Sequence, residues 1–217
     1  MSRAFYIVGA GDMNGTSLRV PDGAFVIAAD AGLSYLREAG ISADLIVGDF
    51  DSLGEKPSGP DVVSHSPEKD DTDMLLAVRE ALERKARTIV IYGGLGGRID
   101  HEYANLQTLA FIANSGARGY LVGRGSVCTV IKNGAITFDG DMTGTISVFS
   151  QGGGAEGVNL TGLKYPLTNH TLTDDYPLGV SNEFTGVPSR ISVESGLLLV
   201  IWNALDFNAD RYENIYN

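Results

Sequence analysis

Apolar residues in the first half of the chain occur in two alternating patterns. Short continuous apolar runs predict buried strands, and apolar residues spaced three and four apart predict helices. The strands are predicted at residues 4–10, 25–29, 45–47 and 88–92, and the helices at about 32–39, 71–85 and 98–114. This alternation is typical of a mostly parallel sheet with helices packed on it, so we expect an α/β fold here.

The two longer predicted helices each carry an apolar stripe at the helical period. We expect both stripes to pack against the sheet. The first consists of Met74, Leu75, Val78, Ala81 and Leu82, and the second of Ile99, Tyr103, Leu106, Ala110 and Ala113.

The second half of the chain has a different pattern. After about Gly119, short β-prone runs alternate with Gly-rich or Asn-Gly turns, which predicts strands at residues 127–131, 136–138, 145–149, 190–193 and 197–202. The glycine-rich segment 152–157 is predicted to be a loop. We therefore expect an all-β sandwich or barrel in this half, and two domains covering residues 1–122 and 123–217.

Composition narrows the possible partners and the compartment. The 217 residues carry a formal charge of -11 with a pI of about 4.6, which disfavours a nucleic-acid partner. The single cysteine, Cys128, rules out an internal disulfide and a multi-cysteine zinc site. No apolar stretch reaches membrane-spanning length and the opening residues show no signal-peptide pattern, so we expect a cytoplasmic protein without a membrane partner.

Acidic residues collect where the predicted strands of the first half end. Asp30 closes one strand, Asp49 and Asp51 follow the next, and Asp70, Asp71 and Asp73 precede or open a helix. The carboxyl ends of parallel strands share one edge of the sheet, where ligands bind. In an extended segment, Asp49 and Asp51 project to the same side, and two such charges repel each other unless a cation lies between them.

Oxygen-only clusters of this kind suit Mg²⁺, which binds one or two carboxylates and completes its shell with water and substrate phosphates. We therefore expect a metal ion that carries a polyphosphate. Two structural alternatives stay open. In the first, Asp70 or Asp71 caps the helix, and the helix dipole favours Asp73 in the first turn. In the second, Asp49 and Asp51 belong to a solvated loop.

The segment Gly93-Gly-Leu-Gly-Gly97 supports the phosphate hypothesis. It follows a predicted strand and precedes a helix start, where free backbone amides bind anions, and glycine allows a close approach. Arg98 adds a forked donor for the same phosphate. The chain has no Walker lysine motif, and the glycine spacing of residues 9–15 does not match the dinucleotide-binding motif, which argues against a P-loop or NAD enzyme.

Taken together, these motifs resemble the thiamine pyrophosphokinase family. The resemblance rests on Val47-Gly-Asp-Phe-Asp-Ser52, Lys69-Asp-Asp-Thr-Asp73 and Gly96-Gly-Arg-Ile-Asp-His101 in the first half, and on Val180-Ser-Asn-Glu-Phe184 and Leu197-Leu-Leu-Val-Ile201 in the second. Ala31 departs from the family, which commonly has a glycine there. Trp202 does not align clearly with the tryptophan that some members place near thiamine, and we expect it in the core.

The resemblance implies an ATP:thiamine diphosphotransferase that acts as a homodimer, with a nucleotide-binding α/β domain followed by a β-sandwich domain that holds thiamine at the subunit interface. It implies that Mg²⁺ and polyphosphate are handled by Asp49, Asp51, Asp70, Asp73 and Asp100. It implies nucleotide contacts from Asp30, Lys69, Asp70, Gly96, Gly97, Arg98 and His101. It also implies thiamine contacts from Ser181 and Asn182, and a catalytic set of Asp49, Asp51, Asp71, Asp73, Arg98 and Asp100.

Some points stay open on the sequence alone. Asp71 or Asp100 is a candidate to accept the proton of the substrate hydroxyl. His101 either contacts phosphate or caps local backbone beside Asp100. The alternative functions are a diphosphokinase acting on another alcohol such as a pterin, a metal-dependent sugar-nucleotide transferase, and a nucleotide sensor without catalysis.

Overall fold

The computed structural model describes residues 4–13, 15–48, 62–64, 71–204, 206–212 and 214–216. Strands and helices alternate in the first half, as predicted. They are β1 (Phe5–Val8), β2 (Phe25–Ala29), α1 (Gly32–Glu38), β3 (Leu45–Gly48), β4 (Val62–Ser64), α2 (Asp73–Glu83), β5 (Thr88–Tyr92), α3 (Ile99–Asn114) and β6 (Arg118–Gly123).

The second half is built from strands and one short 3₁₀ helix. The elements are β7 (Ser126–Lys132), β8 (Gly134–Phe138), β9 (Thr145–Ser150), β10 (Ala155–Thr161), β11 (Leu167–Leu172), β12 (Asn182–Glu183), β13 (Ser189–Ser192), β14 (Leu197–Asn203), the 3₁₀ helix (Ala209–Arg211) and β15 (Asn214–Tyr216). The prediction of a loop at 152–157 is wrong for its last three residues, because β10 begins at Ala155 and pairs with β11.

Ten of the described strands form one mixed sheet in the order β12, β9, β14, β7, β6, β5, β1, β2, β3, β4. The pairings that join β1 to β6 are all parallel. β6 then pairs antiparallel with β7, so the sheet crosses position 122 without a break. From β1 the strand order runs one way to β4 and the other way to β6. The sheet therefore has a topological switch point between β1 and β5, where ligands bind in parallel sheets.

The helices cover both faces of the parallel strands. Leu33 and Leu36 of α1 join the core on one face, while Met74 and Val78 of α2 join the core on the other. The predicted stripe of α3 is wrong at its start, because Ile99 and Tyr103 are 84% and 65% exposed. The buried positions of α3 begin one turn later and are Asn105, Thr108, Leu109, Ile112 and Ala113.

Five described strands form a second sheet, ordered β11, β10, β13, β8, β15. Side chains of this sheet share a core with those of β6, β7, β9 and β14. Trp202 lies in that core as predicted, with its ring centroid 5.3 Å from that of Phe138 and 5.0 Å from that of Tyr212. Cys128 is buried, and burial raises the pKa of its thiol to about 12. No helix in the described part of the chain is long and apolar enough to cross a membrane.

Candidate active site

A cleft of about 430 Å³ opens at the carboxyl edge of the parallel strands, at the switch point between β1 and β5. The loops after β1, β2 and β5 and the first turns of α2 and α3 form its walls. The lining residues are Gly9, Ala10, Gly11, Asp12, Ala29, Asp30, Thr72, Asp73, Met74, Gly93, Gly94, Gly96, Gly97, Arg98, His101, Glu102, Ala104 and Asn105.

The floor of the cleft is bare backbone. The N–H of Gly9 donates to the carbonyl of Tyr92 and the N–H of Gly11 donates to that of Gly93, both at 2.8 Å. A β-carbon on Gly9 would lie 2.9 Å from the Gly93 oxygen, and one on Gly11 would lie 2.6 Å from it. The two loops therefore touch backbone to backbone, which only glycine permits.

Asp30 lies on the wall of the cleft beside β3. Its backbone φ is 50°, and its N–H donates to the carbonyl of Val47 at 2.8 Å. A β-carbon on Gly48, the last residue of β3, would lie 3.2 Å from the Asp30 Cα. The predicted site residues Asp49 and Asp51, which follow in the sequence, lie outside the described residues, as do Lys69 and Asp70. Of the predicted metal ligands, Asp73 and Asp100 are described.

Asp73, one of the predicted site residues, opens α2 and lines the cleft. The hydroxyl of Thr72 caps this helix by accepting the N–H of Leu75 at 3.2 Å. Asp71 is placed differently, because its carboxylate forms an ion pair with Arg79 at 2.8 Å and it is not among the cleft-lining residues. The structure therefore brings together Asp30 and Asp73, but not Asp71.

Arg98 and Asp100 form a paired group at the start of α3. The Arg98 guanidinium donates from Nε and Nη2 to the two oxygens of Asp100, at 3.2 and 2.6 Å. This contact holds the pKa of the Asp100 carboxyl below its usual range. Arg98 and His101 line the cleft, whereas Asp100 does not. Among the described residues, no three His, Cys, Asp or Glu side chains are grouped to hold a metal ion.

Two residues of α3 bond the glycine loop, and the sequence pattern did not predict either contact. The Oε1 of Glu102 accepts the N–H groups of Gly96 at 2.7 Å and Gly97 at 3.1 Å. The buried Asn105 donates from Nδ2 to the carbonyl of Gly94 at 2.8 Å. The only signal in the sequence was a polar face on the helix that follows the loop. The amides expected to receive a phosphate are thus bonded to a carboxylate of the chain.

Ser181 and Asn182 lie far from the cleft of the same chain. Ser181 precedes β12 and Asn182 begins it. Four strands separate β12 from β5, so the distance from β12 to β5 across the sheet is roughly 24 Å. Asn182 is buried, and its side chain bonds the backbone of Tyr165 through both its oxygen and its nitrogen. Ser181 is exposed, with its N–H donating to the Ser147 hydroxyl at 3.0 Å.

A cleft at the switch point of parallel strands, with a glycine floor and helix starts in its walls, is typical of the class of proteins that bind phosphorylated ligands. The catalytic-domain model of thiamin pyrophosphokinase matches residues 20–121, and the vitamin B1 binding domain model of the same family matches residues 135–198. The chain belongs to the thiamine pyrophosphokinase family.

Individual relatives agree with this assignment. The thiamine pyrophosphokinase of Bacillus subtilis (strain 168) is 31% identical over 182 residues, which cover 81% of this chain and 85% of that protein. The crystal structure of a thiamine pyrophosphokinase from Bacillus subtilis has a TM-score of 0.83 at 28% identity, covering 93% of this chain and 99% of that one. The corresponding structure from Geobacillus thermodenitrificans has a TM-score of 0.78 at 29% identity, with coverage of 96% and 99%.

Proposed function

We propose that this chain is an ATP:thiamine diphosphotransferase, which converts ATP and thiamine to AMP and thiamine diphosphate. The observation that carries the proposal is a glycine-floored cleft whose lining residues from Ala29 to Asn105 lie within the segment that matches the catalytic-domain model of the family. None of the alternatives considered on the sequence has comparable support.

The reaction moves the β,γ-diphosphoryl group in one displacement. The hydroxyl oxygen of thiamine forms a bond to the β-phosphorus of ATP, and the bond from that phosphorus to the oxygen bridging to the α-phosphorus breaks. AMP leaves with the bridging oxygen, and the hydroxyl proton passes to a base. Such a transfer needs positioning and charge stabilisation more than covalent work by the protein.

Residues of the cleft can supply that positioning. Gly9, Gly11 and Gly93 line the cleft with backbone alone, and we propose that phosphate oxygens approach that backbone closely. Arg98 offers a forked donor at the mouth, although the Asp100 carboxylate bonds it in the free enzyme. The ion pair of Asp71 with Arg79 disfavours Asp71 as the base. We propose nucleotide contacts from Asp30, Lys69, Asp70, Gly96, Gly97, Arg98 and His101.

We also propose a requirement for Mg²⁺, held by carboxylates drawn from Asp49, Asp51, Asp70, Asp73 and Asp100. Support comes from the charge of the cleft. Asp12, Asp30, Asp73 and Glu102 line it, and Arg98 is the one Arg or Lys among its described lining residues. An excess of carboxylates repels a polyphosphate, and oxygen ligands are the ones that Mg²⁺ prefers. When bound, Mg²⁺ neutralises phosphate charge and orients the polyphosphate.

The test is product analysis after incubation with ATP, Mg²⁺ and thiamine. We expect AMP and thiamine diphosphate in equal amounts, and neither without thiamine. A pterin alcohol replaces thiamine in a parallel reaction to check the nearest alternative substrate. Formation of ADP in place of AMP, or transfer to the pterin alone, contradicts the proposal.

We propose that residues 1–122 form the nucleotide-binding α/β domain and residues 123–217 a β-sandwich domain that binds thiamine and dimerises. The two family models match on either side of this boundary, at residues 20–121 and 135–198. The predicted cytoplasmic location and the predicted lack of a nucleic-acid partner remain part of this proposal.

The position of the proposed thiamine residues supports our proposal of a homodimer. Ser181 is roughly 24 Å along the sheet from β5, too far for one bound thiamine to reach both sites within a chain. Exposed apolar side chains lie near Ser181, which suits a surface that a second copy covers. Tyr176, Leu178 and Val180 precede it in the sequence, and the backbone of Tyr165 bonds the side chain of the adjacent Asn182. We propose that each active site combines the cleft of one subunit with Ser181 of the other.

Subunit mixing tests the shared site. Asp73→Asn impairs the cleft and Ser181→Trp blocks the proposed thiamine surface, so each homodimer is expected to be inactive. After unfolding and joint refolding, mixed dimers regain one intact site, and activity returns. Sedimentation that finds only monomers, or a refolded mixture as inactive as the separate variants, rules out the shared site.

A further inference from the structure

The carboxylate of Glu102 occupies an anion-binding position in the wall of the cleft. Two consecutive amides, those of Gly96 and Gly97, point at the same oxygen, Oε1, at 2.7 and 3.1 Å. Gly96 has a φ of +86°, which turns successive N–H groups toward a common point. Such a concave pair of amides is the geometry with which backbones bind phosphate and other anions.

This position is accessible from outside the loop. Gly97 is exposed, and a β-carbon built on it would have no atom within 4 Å. The Glu102 side chain is partly exposed and contacts Arg124 Nη1 at 3.5 Å, beyond ordinary hydrogen-bond distance. An incoming anion therefore has room to approach the two amides, and the displaced carboxylate has a cation beside it.

We propose that Glu102 is an internal substitute for a phosphate group of the nucleotide, bonded to Gly96 and Gly97 in the free enzyme and displaced when the nucleotide binds. This inference rests on the proposed function. A ligand that must first displace an internal group binds more weakly than it would to an open site. Its apparent affinity is the affinity for the open site multiplied by the fraction of molecules in which the site is open. Glu102 thus lowers nucleotide affinity while it stabilises the empty loop.

The competing explanation is a purely structural contact. A carboxylate in the first turns of a helix that bonds amides preceding that helix resembles a capping arrangement, which fixes the shape of the loop. In that case, removing Glu102 disorganises the loop and weakens nucleotide binding. The two explanations predict opposite changes in affinity, so one measurement separates them.

The experiment measures binding of α,β-methylene-ATP with Mg²⁺ by calorimetry, because this analogue cannot be cleaved at the bond that the reaction breaks. We expect Glu102→Ala to bind it about tenfold more tightly than the wild type, the order set by losing hydrogen bonds to a charged group. Glu102→Gln keeps an acceptor for the two amides without the charge, and we expect an intermediate gain. The melting temperature without ligand should fall in Glu102→Ala.

Glu38→Ala is the matched control, because it removes one negative charge from the exposed end of α1, which lies outside the cleft lining. We expect it to leave the affinity unchanged. Unchanged or weaker binding by both Glu102 variants overturns the proposal, and if Glu102→Ala does not fold, Glu102→Gln decides alone. If the Glu102 variants bind the analogue more weakly while the wild type still makes thiamine diphosphate, only this inference is overturned. A wild type that neither binds the analogue nor forms product overturns the proposed function as well.

Discussion

The backbone of Gly93 lies so close to that of Gly9 that a β-carbon on Gly93 would be 2.4 Å from the Gly9 carbonyl oxygen. Gly93 also has a φ of +65°, in the region that favours glycine. The loops after β1 and β5 therefore meet through a contact that no larger residue can replace. This contact forms the floor of the proposed nucleotide cleft.

We predict that Gly93→Ala lowers the free energy of unfolding by at least about 2 kcal/mol, because strain and a backbone clash add. It should also abolish binding of α,β-methylene-ATP. Urea unfolding measures the stability. Gly97→Ala is the stability control, since its β-carbon would meet no atom within 4 Å. Equal stability of the two variants would show that the loops can move apart without cost.

The cap of α2 allows a second prediction. The Thr72 hydroxyl accepts the N–H of Leu75 at 3.2 Å, so Thr72→Ala leaves that donor without its cap. We expect a loss of about 1 kcal/mol in the free energy of unfolding, and little loss in Thr72→Ser, which keeps the hydroxyl. Denaturant unfolding of both variants checks this. A Thr72→Ser protein as unstable as Thr72→Ala would assign the effect to the lost methyl group.

The fold of the first half was largely predictable because its strands are continuous apolar runs that are buried on both faces. β11 could not be predicted in the same way. Four of its six residues, in Leu167-Thr-Asn-His-Thr-Leu172, are exposed, so the segment has little apolar signal. It is a strand because β10 offers a partner edge, and such long-range pairing is not encoded in local periodicity.

The candidate site was predictable in position but not in its contacts. Acidic residues at strand ends indicated the edge of the sheet at which the cleft opens, since the ends of parallel strands meet there. The pairing of Asp71 with Arg79 and of Glu102 with the glycine loop depends on side-chain geometry. An acid near a helix start is also what the helix dipole alone would favour, so Glu102 was not distinguishable by sequence.

A third prediction concerns pH. Burial, with smaller contributions from Tyr92 and Asp210, raises the pKa of Tyr6 to about 12. An unfolded tyrosine ionises near pH 10, so the stability linked to this proton is fully present below about pH 10 and is lost as the pH rises toward 12. We expect the urea midpoint of the wild type to fall more steeply across this window than that of Tyr6→Phe. Parallel pH profiles would show that Tyr6 is not the group responsible.

The last prediction concerns the two carboxylates that follow β3. Gly48, at the end of β3, packs against Asp30 on the cleft wall, and the sequence continues directly into Asp49 and Asp51. If these carboxylates hold Mg²⁺, Asp49→Asn and Asp51→Asn keep side-chain size but lose the charge that retains the metal. We expect turnover to AMP and thiamine diphosphate to fall by at least about a hundredfold.

The control for these variants is Asp22→Asn, an equal charge change at an exposed turn before β2. Asp22 precedes the amino end of β2, so it lies at the opposite edge of the sheet from the cleft. The turnover of Asp22→Asn should therefore match that of the wild type. Raising the Mg²⁺ concentration should partly restore activity to the Asp51 variant, because a weakened metal site fills again by mass action. Folded Asp49 and Asp51 variants with wild-type turnover at low Mg²⁺ would mean that this pair is an ordinary solvated loop, and the metal assignment would then rest on Asp70, Asp73 and Asp100.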